Sequence, residues 1–235
     1  MPHVMLRRSI VAASASFAYA TRLGAAALAS TTSSDHFDYL VIGGGSGGVA
    51  SARRAAMHGK RVALIERGPE WAEDGERVGA GYGGTCVNVG CVPKKLMFTA
   101  ASFIEYTEES AGYGVEHAAA PKLNWAALVK ARDAYVERLN GIYTRNLDSA
   151  GIERVVGAAR FIGPREVEVA SAGRRITADH VLIAVGGAPT MPEIPGVEHA
   201  ISSNGFFELQ SQPKSALVVG SGYIGVELAG ILHLP

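Results

Sequence analysis

Leu40-Val41-Ile42-Gly43-Gly44-Gly45-Ser46-Gly47-Gly48 decides the fold. The apolar run from Phe37 to Ile42 reads as a buried parallel strand, and the Ala-rich stretch from Val49 to His58 suits a helix. The G-x-G-x-x-G pattern therefore sits in the strand-turn-helix setting that dinucleotide binding requires. Gly43 makes the tight turn, Gly45 lets backbone approach a pyrophosphate, and Gly48 permits close helix packing. The next strand, Arg61 to Ile65, ends in Glu66, 23 residues beyond Gly43, where a ribose hydroxyl ligand is expected. A merely glycine-rich turn would leave Glu66 unexplained.

A second copy follows at Ala216-Leu217-Val218-Val219-Gly220-Ser221-Gly222-Tyr223-Ile224-Gly225-Val226-Glu227, again read as a strand feeding a helix. Between the copies, Val181 to Pro189 reads as another buried strand ending in a glycine turn. The expected class is α/β: a doubly wound dinucleotide fold with a helical section from about Pro93 to Ala150. A small antiparallel sheet is expected from short strands around Val155, Phe161, Val167 and Ile176, and then the start of a second dinucleotide fold. Segment 133–143 reads as one long helix that sets Tyr135 and Tyr143 near a common face, Tyr135 as a packing residue.

The two cysteines, Cys86 and Cys91, lie within Gly83-Gly84-Thr85-Cys86-Val87-Asn88-Val89-Gly90-Cys91-Val92-Pro93-Lys94-Lys95. On an ideal helix residues five apart are roughly 8.7 Å apart at Cα, beyond the roughly 7 Å a disulfide bridges. An oxidised pair thus needs a distorted turn, for which Gly90 supplies freedom, while Pro93 suits the first turn of the following helix. A disulfide in bent geometry is easier to reduce, and a thiolate near a helix start and two lysines is favoured by positive potential. A structural disulfide or two buried thiols are the alternative reading for such spacing taken alone. Two dinucleotide motifs beside a dithiol suggest hydride entering at one cofactor and electrons leaving through sulfur.

Composition agrees: 48% apolar and 19% charged residues, zero net charge and 235 residues suit a globular chain of about one and a half domains. No basic run points to nucleic acid and no apolar run reaches transmembrane length. Residues 1–34, with Arg7, Arg8 and Arg22 and no acid before Asp35, read as a transit peptide for a mitochondrion or plastid. The run Ile10 to Ala20 leaves a secretory-type signal open, and a cytosolic protein is the remaining reading.

These residues resemble the FAD-dependent pyridine nucleotide-disulfide oxidoreductase family, and within it the glutathione reductases. The likeness to their N-terminal half runs almost continuously from about Phe37 to Leu232, and the string Gly83 to Lys95 is its most specific element. The resemblance implies that Gly43, Gly45, Ser46, Gly47, Gly48, Glu66 and Thr85, with Gly157 and Ala159, bind FAD. Gly220, Ser221, Gly222, Tyr223, Ile224 and Gly225 would bind NADPH, with Tyr223 covering the nicotinamide face of the flavin. It further implies Lys94 beside the flavin and paired with Glu227, Cys91 as the thiol nearest the flavin, and Cys86 as the thiol that attacks the substrate. Read alone, Lys94 and Glu227 are as readily solvated helix charges. The implied substrate is glutathione disulfide, contacted by Ser46, Arg53, Tyr143 and Asn146; no metal is implied. Ala50 and Arg53 match the glutathione reductases where trypanothione reductases carry a glutamate and a tryptophan, and Lys94 argues against the serine of lipoamide dehydrogenases and mercuric reductases.

Departures from the pattern are Val185 in place of a threonine and a longer link from Arg67 to Tyr82, read as a surface insertion. Complete members of the family are roughly twice this length. The resemblance therefore divides the chain into a targeting segment over 1–34, an FAD-binding segment over 35–190, a connection over 191–213 and the start of an NADPH-binding domain over 214–235. The dimerisation domain of a family homodimer, which donates the acid/base histidine, is expected to be absent. The expectation is an incomplete N-terminal half that performs the first half of the mechanism. The alternatives are a thioredoxin or trypanothione reductase, and an inactive flavin-binding fragment.

Overall fold

A computed structural model describes residues 35–71 and 77–233; the targeting segment expected over 1–34 lies outside them. Strand β1 (Asp35–Ile42) leads through helix α1 (Ser46–Met57) to β2 (Val62–Glu66), the unit the first glycine motif calls for. The two strands pair in parallel, Tyr39 against Val62 through Ile42 against Ile65. β2 is buried along its whole length, which is why its sequence is a continuous apolar run.

A hairpin of β3 (Pro69–Trp71) and β4 (Arg77–Ala80) follows, then α2 (Gly84–Asn88), α3 (Cys91–Ser110) and α4 (Trp125–Ser149). The next strands are β5 (Glu153–Val156), β6 (Arg160–Gly163), β7 (Glu166–Val169) and β8 (Arg174–Ile183); α5 (Ser203–Glu208) and α6 (Tyr223–Leu232) close the described chain. The main sheet has the order β5-β2-β1-β8-β7-β6, parallel from β5 to β8 and antiparallel from β8 to β6.

The antiparallel strands are thus continuous with the parallel sheet, because β8 serves both. It pairs with β1 from Asp35 against Ile176 to Ile42 against Ile183, so the stretches around Ile176 and Val181 are one strand. Its last residue, Ile183, is exposed, so the buried strand expected there is only half covered. Val155 belongs to β5, at the opposite edge.

Two corrections concern the ends of the site. The Arg67–Tyr82 link forms the separate β3-β4 pair, which exposes Arg67, Pro69 and Glu70 as a surface insertion would but buries Gly79 and Gly81 on its return. Ala216–Val219 does not form the expected strand. It runs without a ladder, and Leu217 is 90% exposed, because a parallel strand needs a neighbour for its N–H and C=O groups.

Phe37, Leu40, Ile65, Val167 and Ile176 fill one core cluster, and Val41, Val49, Leu64 and Leu147 another, where α1 and α4 meet the strands. A third cluster joins α3, α4, α5 and α6 through Met97, Trp125, Phe206, Leu228 and Ile231. Each such aliphatic or aromatic side chain contributes about 1.5–3 kcal/mol by leaving water. At the edge of this cluster Arg132 is buried. Its Nη2 donates to the Phe207 carbonyl at 2.8 Å and its Nε to Asp133 Oδ1 at 2.9 Å, joining α4 to α5. Tyr135, expected to pack, is instead exposed beneath the Arg138 guanidinium.

Truncating Arg132 to Ala should cost about 2–3 kcal/mol, since it strands a buried carbonyl and opens the core. Asp133→Ala should cost less, about 1 kcal/mol, because the carboxylate is half exposed although it is the acid partner of the buried guanidinium. Urea midpoints of the two variants check the ordering; equal losses would contradict it.

Candidate active site

The first glycine turn is built by backbone collisions that glycine alone avoids. Gly43 has φ +109°, and a Cβ there would strike the Ala184 carbonyl at the end of β8; one at Gly48 would strike the Gly43 carbonyl. Glu66, buried at the end of β2, accepts from the Gly44 N–H at 2.5 Å and from the Gly68 N–H at 3.0 Å. Its carboxylate therefore faces the turn, as the spacing from Gly43 requires. The N-cap of α1, Gly45, makes no side-chain cap, so the first-turn N–H groups present positive potential.

The same turn carries the dithiol. Gly83 N–H donates to the Gly44 carbonyl at 2.9 Å, and Gly45 and Gly83 form a parallel bridge. A Cβ on Gly84, at φ +62°, would lie 2.8 Å from Gly45 Cα. This close crossing sets the start of α2 against the phosphate-type turn.

The result is a cleft of about 690 Å³, a size suited to a cofactor. Gly43, Gly45, Ser46, Gly47, Glu66, Thr85, Cys86, Gly157 and Ala159 all line it. Gly48 sits beneath, packed on Gly43. Uncapped helix N–H groups beside a buried carboxylate fit the pyrophosphate and ribose of a dinucleotide. Lining residues that sequence reasoning missed are Arg67 and Arg77 of the hairpin region and Asn204 of α5, whose Nδ2 donates to the Arg77 carbonyl at 2.9 Å. Only their three-dimensional placement reveals them. Val185 and Gly186, in the expected glycine turn, also line the cleft.

Cys86 and Cys91 are both thiols, Cys86 half-buried in α2 and Cys91 exposed at the start of α3. The helix breaks between them at Val89–Gly90, and Cys91 stays near enough to act on the Cys86 thiol. Burial first, and the neighbouring thiol second, push the Cys86 thiol up to about 11. For Cys86 that rise is the opposite of a thiolate favoured by nearby positive charge. The two lysines counted on for that effect are engaged elsewhere. Lys94 Nζ donates to both carboxylate oxygens of Glu227 at 2.8 Å, and Lys95 Nζ lies 5.0 Å from the Phe98 ring centre.

The Lys94–Glu227 pair ties α3 to α6, the helix of the second glycine motif. Around it Gly220 takes φ +112° and Gly222 caps α6, while Tyr223 is 77% exposed. Gly220, Ser221, Gly222, Tyr223, Ile224 and Gly225 do not line the first cleft. Among the candidate substrate contacts, Ser46 opens α1, Arg53 is exposed on α1, and Tyr143 and Asn146 are half-buried on α4, with Tyr143 against the core cluster between the two helices. Among the described residues no cluster suited to a metal ion is found, and no helix is long and apolar enough to cross a membrane.

Residues 37–234 match the family model described as pyridine nucleotide-disulphide oxidoreductase. The chain is 48% identical over 200 residues to a glutathione reductase of Schizosaccharomyces pombe, covering 83% of this chain and 41% of that protein. It is 47% identical over 209 residues to a glutathione reductase of Yarrowia lipolytica, covering 84% and 42% respectively. The chain thus spans about two fifths of the length of these relatives.

Two outcomes are expected. Gly84→Ala should cost about 3 kcal/mol or more, since strain at positive φ is joined by a backbone collision, whereas Gly59→Ala, at φ +73° in open space, should cost about 1 kcal/mol. Denaturant titration compares them, and a Gly84→Ala loss no larger than that of Gly59→Ala would refute the crossing's role. In the reduced chain, iodoacetamide should alkylate Cys86 about tenfold faster per pH unit from about pH 7 to about pH 10, because the reactive thiolate fraction keeps growing towards about 11. A plateau above the ordinary thiol value of about 8.5 would contradict the burial.

Proposed function

The chain belongs to the pyridine nucleotide-disulphide oxidoreductase family, and from that premise we propose that its cleft holds FAD and that Cys86 and Cys91 reduce glutathione disulfide with electrons from NADPH. The observation that carries this reading is the glycine crossing that makes Cys86 part of the wall that holds Gly43, Ser46 and Glu66. The names of the similar proteins support glutathione disulfide as the substrate class.

In this reading the open N–H groups at the start of α1 take the pyrophosphate and Glu66 takes a ribose hydroxyl. Bound FAD supplies the relay between hydride and the sulfur pair. NADPH belongs to the second motif, Gly220 to Gly225, with Tyr223 as its movable cover. The Lys94–Glu227 pair holds that motif's helix to the dithiol helix, and the family resemblance puts the Lys94 ammonium beside the flavin, although Lys94 does not line the cleft.

The sulfur chemistry balances with the dithiol alone. Cys86, as thiolate, attacks one sulfur of glutathione disulfide; that S–S bond breaks and one glutathione leaves as thiolate, taking up a proton. Cys91, as thiolate, then attacks the Cys86 sulfur of the mixed disulfide, the second glutathione leaves and is protonated, and the Cys86–Cys91 disulfide remains. Two electrons passed from NADPH regenerate the dithiol. The family resemblance carries the division of labour, with Cys91 toward the flavin and Cys86 toward substrate, although it is Cys86 that lines the cleft. Arg53, Ser46, Tyr143 and Asn146 form the proposed substrate contacts, with Arg53 pairing a glutathione carboxylate.

The test is in two parts. FAD should bind with a stoichiometry of about one and quench on titration, and Glu66→Gln should weaken it about tenfold, the worth of one charge-assisted hydrogen bond. The prereduced chain should release two glutathiones per glutathione disulfide consumed, and Cys86→Ser should release none by this route. No flavin binding, or unchanged release by Cys86→Ser, would overturn the proposal.

A further inference from the structure

Asn88 lies between the two cysteines and is buried, an amide in a place where each of its polar atoms needs a partner. Its Nδ2 donates to the Gly84 carbonyl at 2.9 Å and to the Tyr82 carbonyl at 3.1 Å. Its Oδ1 accepts from Asn140 Nδ2 at 3.0 Å, and the same Asn140 Nδ2 donates to the Tyr82 carbonyl at 2.8 Å. Both protons of each amide nitrogen are thereby used. Turning either amide over would set oxygen against oxygen, so the network admits one orientation.

The bonds run from the front of α2, at Tyr82 and Gly84, through its last residue to the middle of α4. No regular helix supplies such ties, and here they are needed. A continuous helix would hold the cysteines roughly 8.7 Å apart at Cα, whereas α2 stops at Asn88, Val89 and Gly90 leave helical conformation, and α3 restarts at Cys91. Gly90 makes the sharp turn possible, since a Cβ there would lie 2.8 Å from the Thr85 carbonyl, but a glycine gives freedom and does not choose a direction.

We propose that Asn88 and Asn140 are positioning residues, a latch that fixes the direction of α2 against α4 so that the two sulfurs face one another. Neither touches the sulfurs. Asn140 stands one turn before Tyr143 on α4, so the latch also sets the dithiol in register with the helix that carries two of the proposed substrate contacts. The inference rests on the reading of Cys86 and Cys91 as a redox pair.

The experiment equilibrates the purified chain with reduced and oxidised dithiothreitol. Two thiols of the chain lose two electrons and two protons to form the Cys86–Cys91 disulfide, and oxidised dithiothreitol gains them to become the dithiol. Acid quenching, alkylation and mass measurement give the ratio. In Asn140→Ala the equilibrium constant for closing the chain's disulfide should fall about tenfold, because α2 and α3 must first be ordered. Alkylation of Cys86 at pH 8 should also rise about fivefold as the loosened turn exposes it. A constant and an alkylation rate both within about twofold of wild type, with only a lower melting temperature, would overturn the latch while leaving the redox pair standing. A wild-type chain that forms no intrachain disulfide at any dithiothreitol ratio would overturn both. If circular dichroism shows Asn140→Ala unfolded, Asn140→Asp, which keeps the volume and removes both donors, is read in its place with the same expected directions.

Discussion

The close passage of Gly83-Gly84 over Gly44-Gly45 is the constraint on which the site depends. Two segments with different duties, a turn that leaves helix N–H groups open and a short helix that bears a thiol, touch through backbone alone. A side chain at Gly84 would collide with the Gly45 backbone and push the two segments apart. The bond from Gly83 N–H to the Gly44 carbonyl then sets their register. Glu66 steadies the arrangement from below by accepting from Gly44. The first glycine turn and the start of the thiol-bearing helix are consequently joined by direct backbone contacts.

Charge in this region is largely committed within the protein. Lys94 is held in two-point contact by Glu227, and Lys95 rests on an aromatic ring, so neither lowers the Cys86 thiol, which burial raises. A local sequence reading counts the lysines near a cysteine. What matters is where their ammonium groups point, and that is decided by α6, more than 130 residues along the chain.

The first dinucleotide unit was fully legible in the sequence because its signals are local: an apolar run, three glycines at fixed offsets, and an acid at the end of the next strand. The helix after Pro93 and the long helix through Tyr143 were legible for the same reason. The second motif was legible only as a turn and a helix, since Ala216–Val219 has the composition of a strand but no ladder. Pattern also could not show that Ile176 and Val181 share one strand, as that depends on pairing with β1. Arg67 and Arg77 reach the cleft from the hairpin region and Asn204 from α5, while Asn140 reaches Asn88 from α4, and none of them carries a motif. Asn88 did carry a signal, an amide between two thiols, but its meaning lay in its partners.

β8 works as a measuring rod. Its pairing with β1, continued by the bond from Ala184 N–H to the Ile42 carbonyl, places Ala184 directly against Gly43 and delivers residues 184–188 to the cleft wall. Because strand side chains alternate faces, a single residue gained or lost within β8 would exchange the residues that face its two core clusters and leave the wall out of step. The turn between β6 and β7 lies outside the β1–β8 ladder and meets β8 through the bond from Ala178 N–H to the Arg165 carbonyl, so a change in its length would disturb that bond and not the ladder. Variation in length along this part of the chain is therefore tolerated at the outer edge of the sheet and forbidden along the rod, so the edge is where the protein has room to drift without disturbing its chemistry.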